Sequence, residues 1–190
     1  IHPKPSMVMK VKKADLLIRL GMKQDSWIDG LIQVARNKRI FPGNPGYLDC
    51  SKKVTKIDIP EGNIDGSMGD VHKYGNPHYW LDPENGKIIA DQIRTQLSQI
   101  DPENAGIYTK NYTQFVNTLN KKIAQWKQQL APLNTHTFIT YHSVWNYFFK
   151  AFKLQSIGEL EPLPGIPPTT KHIAKLKKSA VNQTPRPIIH

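Results

Sequence analysis

Residues 101–130 constrain the fold most. Asp101-Pro102-Glu103 offers a capping carboxylate followed by proline at the first helical position. Tyr108, Tyr112, Phe115, Leu119, Ile123, Trp126 and Leu130 then recur every three or four residues. That pattern predicts one helix of about 29 residues, roughly 43 Å long at the standard rise. An element of that length can join two lobes. The same device, Asp82-Pro83-Glu84, predicts an earlier helix from there to about Gln99.

Short apolar segments alternate with helical ones on either side. Before the Asp-Pro pairs, helix is expected over Ser6–Lys13 and Trp27–Asn37, and strand over Ala14–Leu20 and Lys53–Ile59. Phe41–Asp49 is dense in Pro and Gly and is expected to turn, and Glu61–Gly75 is expected to be a loop. After Pro132, strands are expected over Thr137–Tyr141 and Leu154–Leu160, with a helix capped by Ser143 between them. Thr169 or Thr170 can cap a helix to about Val181, and Ile188-Ile189 begins a further strand. Such alternation is the pattern of parallel sheet, and the fold class expected is α/β. The expected domains are an N-terminal α/β lobe at 1–100, a linking helix at 101–132 and a C-terminal α/β lobe at 133–190.

Composition excludes several classes. With 38% hydrophobic and 22% charged residues the chain can bury a core. One cysteine, Cys50, excludes an intramolecular disulfide framework and gives no sign of redox work. The net charge of +11 raises the question of nucleic acid. The lysines come in scattered pairs such as Lys12-Lys13, Lys121-Lys122 and Lys177-Lys178, and no nucleic-acid motif accompanies them, so no nucleic-acid partner is expected.

Three histidines stand out by position. His2 sits in a proline-rich segment, His78 in an Asn-Pro turn, and His142 at the carboxyl end of an expected strand. Ligands in open α/β sheets bind outside the carboxyl ends of strands. Neutral imidazole is a common ligand of Zn²⁺. The three lie tens of residues apart, so spacing leaves an α/β domain with a metal role open. His136, His172 and His190 have no motif behind them.

The string NPHYWLDPENGKIIADQI at residues 76–93 resembles the metal-binding solute receptors of zinc and manganese ABC importers, the TroA-like cluster. That family carries N-P-H-x-W-x-D-P followed by a helix. Thr140-Tyr141-His142-Ser143 with its aromatic helix, GELEPLPGIPP at 158–168, and His2-Pro3-x-Pro5-Ser6 ahead of KKADLLIRLGM match in the family's order.

The resemblance implies two lobes of parallel sheet flanked by helices, joined by one long helix, with metal held between the lobes. It assigns His78, His142 and His2 as ligands. Three imidazoles favour Zn²⁺ over Mn²⁺ as the transported ion. Glu159 and Glu161 become candidates to hold ligand imidazoles by their N–H groups, and His72 a candidate for transient metal contact. A fourth, carboxylate ligand is implied beyond residue 190, and a strand and helix ahead of His2, which makes this chain the middle of a longer protein.

The implied function is an extracytoplasmic receptor, monomeric, that performs no chemistry and passes metal to a membrane permease. Its location would be the periplasm or the outer face of the cytoplasmic membrane. An adhesin of the same fold and a zinc hydrolase are the alternatives. Against the hydrolase, the chain has no H-E-x-x-H helix. Tyr79, Trp80 and Trp145 are expected to pack in the core beside the site.

Overall fold

The computed structural model describes residues 4–62, 72–163, 165–181 and 185–189. In chain order they form α1 (Pro5–Lys13), β1 (Leu17–Arg19), α2 (Ile28–Ala35), β2 (Tyr47–Asp49), α3 (Pro83–Ile100), α4 (Ala105–Leu130), β3 (Thr137–Thr140), α5 (Asn146–Phe152), β4 (Gln155–Glu159), α6 (Thr170–Val181) and β5 (Pro185–Ile189). All strand pairs are parallel: β1 with β2, and β3 between β4 and β5. The fold class is therefore α/β.

Two compact units divide the chain, Ile1–Thr55 with Gly86–Leu119, and Lys56–Asn85 with Asn120–His190. In the first, α2 buries Leu31, Ile32 and Ala35, and Ile40, Leu48, Cys50 and Val54 are buried with them. Asn37 fastens the end of α2 to that of α1, its amide donating to the carbonyls of Val11 (3.0 Å) and Ala14 (2.7 Å). β1 can approach β2 because residue 46 is glycine: a Cβ there would lie 2.5 Å from the Asp15 carbonyl oxygen. Burial pushes the Cys50 thiol up to about 11, so it is protonated and unreactive at neutral pH.

The core of the second unit is aromatic. Phe138 from β3 stacks on Phe149 from α5 at 5.5 Å, and Phe152 and Leu154 complete the buried cluster. Trp145 packs against it, as expected. Two of the expected caps form, whereas Ser143 lies within a 3₁₀ turn (Ser143–Trp145) ahead of α5 and makes no side-chain cap bond. Asp82 Oδ1 accepts from the Glu84 N–H (2.9 Å), and Thr169 Oγ1 accepts from the His172 N–H (3.1 Å). After Asp101-Pro102, a single 3₁₀ turn at Pro102–Asn104 precedes α4.

Two expectations about strands need correction. Lys53–Ile59 is not a strand. Asp49 caps a 3₁₀ turn over Cys50–Lys53 through the Ser51 N–H (2.9 Å), and Asp58 adopts a left-handed backbone (φ 53°) that breaks regular extended strand. The polar groups of Ile57 are satisfied elsewhere: its carbonyl accepts from the Asn76 N–H and its N–H donates to the Tyr147 hydroxyl. Conversely, the end of the Pro- and Gly-rich 41–49 segment is strand β2. The stripe on α4 is only partly covered, with Ile123 buried and Phe115 45% exposed.

The aromatic cluster gives the first prediction. Phe149→Ala should cost about 3–5 kcal/mol, the usual loss for a truncated core phenylalanine. Urea unfolding measures it, and a loss below about 1 kcal/mol would remove this cluster from the core.

Candidate metal site

His78 and His142 both belong to the second unit and lie on facing loops. The His78 loop is a turn whose backbone is set by its neighbours. Gly75 has φ 92°, and a Cβ there would lie 2.6 Å from the Ile57 carbonyl oxygen, so a side chain would push the turn away from residue 57. Asn76 then spends its whole amide on neighbouring groups. Its Nδ2 donates to the Ser143 carbonyl (2.6 Å) and to Asp58 Oδ2 (3.0 Å). Both partners can only accept, which fixes Oδ1 as the acceptor end. Oδ1 accepts from the His78 N–H and faces His78 Nδ1, each at 3.0 Å. His78 therefore carries its proton on Nδ1, and Nε2 presents its lone pair.

The surroundings of His78 also favour its neutral form. Burial holds its imidazole below the ordinary value, and positive charge on His72 and His142 would push the same way. Protonating it is thus more costly in the folded chain than in the unfolded one. The cost is absent above pH 6.5, appears as pH falls through that value, and levels off below the depressed pKa.

His142 follows β3 in extended conformation (φ −126°, ψ 173°). The β3–β4 ladder continues past the strands, with Leu160 N–H donating to the Thr140 carbonyl (2.8 Å) and Glu161 N–H to that of Tyr141 (2.9 Å). Because the strands are parallel, this brings Glu161 beside His142 at their common carboxyl end. Glu161 is buried, and its Oε2 lies 3.3 Å from His142 Nδ1. The distance suits an ion pair, but the two groups are not aligned as a hydrogen bond, and Nδ1 is buried without such a partner. Glu161 also accepts from the Gly165 N–H (3.3 Å) and the Tyr141 hydroxyl (3.4 Å).

The remaining candidates are placed as follows. His72 sits edge-on to His78, ring centroids 6.1 Å apart. Glu159 ends β4 and is half-buried; its backbone carbonyl, not its carboxylate, engages the His172 ring at 2.8 Å. His2 lies outside the described residues, as does most of the 61–75 loop. Among the described residues, no three His, Cys, Asp or Glu side chains form a metal-holding group. Tyr79 is fully buried, as expected. Trp80 is not: it is 39% exposed, lies edge-on to His78 at 5.3 Å, and lines a cavity of about 400 Å³ with Pro83, Trp126 and Phe148.

Sequence reading missed Asn76 and Asp58. Asn76 was legible only as the first letter of a motif, and Asp58 sat inside an expected strand. The geometry offers one oriented imidazole, His78, and a second, His142, backed by a carboxylate. Such an arrangement can bind a borderline cation.

Residues 1–189 match the family model described as "ZnuA: Zinc-uptake complex component A periplasmic". A metal ABC transporter substrate-binding lipoprotein of Lactococcus lactis is 32% identical over 161 residues, 82% of this chain and 48% of the relative. The manganese ABC transporter substrate-binding lipoprotein PsaA of Streptococcus pneumoniae is 30% identical over 161 residues, with the same coverage, 82% and 48%. The chain thus spans about half the length of these relatives. In fold, it is similar to a Zn(II)-bound variant of AdcAII from Streptococcus pneumoniae (TM-score 0.73, 22% identity, 98% of this chain and 68% of that one). No helix among the described residues is long and apolar enough to cross a membrane.

In metal-free protein at pH 7.5, ¹⁵N NMR should show His78 neutral with its proton on Nδ1, titrating below 6.5. A proton on Nε2 would contradict the hydrogen-bond assignment.

Proposed function

The chain belongs to the ZnuA family of zinc-uptake components, and from that premise we propose that it is the metal-capturing part of an extracytoplasmic receptor serving an ABC importer. The observation that carries this reading is the fixed orientation of His78, whose Nε2 is offered to a cation before any cation arrives. Membership places the chain among uptake components rather than enzymes.

Zn²⁺ is the proposed cargo. His78 and His142 supply imidazole nitrogen, and His2 is proposed as the third donor. Nitrogen-rich sites favour Zn²⁺, whereas Mn²⁺ prefers carboxylate oxygen. Glu161 is proposed to orient His142 through Nδ1 once the pair aligns, which leaves Nε2 for the metal. His72 is proposed as a transient contact on the approach to His78. Glu159 is the weaker outer candidate, since its backbone alone is engaged near a histidine. The loaded receptor is proposed to dock to a membrane permease, outside the cytoplasm. The receptor is proposed to act as a monomer.

Zinc titration against a chromophoric chelator tests this. The wild-type protein should bind one equivalent at pH 7.5. His78→Ala and His142→Ala should each weaken binding by more than the roughly 10–100-fold that loss of an outer hydrogen-bond partner costs, and Glu161→Gln by about tenfold. Affinity should fall steadily from about pH 7 to pH 5 as imidazoles protonate. Binding that is unchanged in His78→Ala would overturn the assignment.

A further inference from the structure

Residues 57–58 bond both to the His78 loop and to the first turn of α5, the helix that follows His142. Asp58 Oδ2 accepts from Asn76 Nδ2 (3.0 Å), two residues before His78, and from Asn146 Nδ2 (2.7 Å), four residues after His142. Ile57 repeats the pattern with its backbone: its carbonyl accepts from the Asn76 N–H (2.8 Å), and its N–H donates to the Tyr147 hydroxyl (3.3 Å). One short segment therefore makes two bonds to the His78 loop and two to the start of α5, which follows the His142 loop. Asn76 adds a direct bond from the first loop to the second through the Ser143 carbonyl (2.6 Å). Asp58 holds this position with a left-handed backbone, a conformation that non-glycine residues adopt rarely and that Asp and Asn tolerate best.

We propose that Asp58 is a positioning residue for metal capture, a strap that fixes the His78 and His142 loops to each other before metal binds. It touches no ligand side chain itself. The proposal rests on the receptor reading above. Its physical basis is that a site whose donors are already spaced spends less binding free energy on ordering loops. Because one oxygen, Oδ2, accepts both amide bonds, an asparagine carbonyl can replace it. Both Asn and Gly suit the left-handed backbone, so two substitutions separate the strap from backbone strain.

The test compares wild type, Asp58→Asn and Asp58→Gly in zinc titration and in amide hydrogen exchange of the metal-free protein. Asp58→Gly should weaken zinc binding about tenfold, at the lower end of losses for outer-shell partners. It should also speed exchange at the His78 N–H and at residues 145–147. Asp58→Asn should stay within about twofold of wild type by both measures, a rescue that a purely electrostatic role for the carboxylate would not allow. Equal zinc affinity in Asp58→Gly and wild type overturns the strap and leaves the receptor reading intact. So does unchanged exchange in either loop. Wild-type protein that binds no zinc overturns the receptor reading, and the strap's purpose with it.

Discussion

The buried amide of Asn76 is the interaction on which the site depends. Its donors end on a backbone carbonyl of one loop and a carboxylate of another segment, and its oxygen faces a histidine ring. Each partner restricts the amide's orientation, and together they leave it one. Burying a polar group is costly unless all its bonds are made, and here they are. The proline at 77 contributes by restricting Asn76 to extended backbone. The histidine thus inherits its orientation from its neighbours rather than from its own packing.

His142 is built on a different principle. Its position comes from a sheet: β3 delivers the histidine, β4 delivers Glu161, and the ladder bonds that run on beyond both strands set their spacing. The Cα register shifts between Phe138 and Ile139, so the pairing that places Glu159 opposite Thr140 depends on that irregularity. One proposed ligand is therefore held by a side-chain network and the other by main-chain pairing.

Much of this was legible in the residues. The Asp82-Pro83 cap, the long helix ending at Leu130 and the strand–histidine junction at 140–142 follow from local chemistry, because capping and periodicity act within a few residues. The segments that defeated sequence reading are those whose bonds are long-range. Ile57 and Ile59 alternate with polar residues like a strand, yet the partners of Ile57 lie at Asn76 and Tyr147. Tyr47–Asp49 sits in a stretch that reads as turn, and becomes a strand because β1 lies alongside. Asp58 carried no signal, since a lone acidic residue between apolar ones suggests only an outward-facing position.

The Asn76–His78 bond has a consequence for the heat of metal binding. A histidine that is neutral and has its proton on the nitrogen away from the metal gives up no proton when a cation arrives. Ligation at His78 near neutral pH would then draw nothing from the buffer. The enthalpy it contributes would be the same in a buffer of high ionisation heat as in one of low ionisation heat. Calorimetric traces recorded in two such buffers would differ only by the protons released elsewhere in the protein.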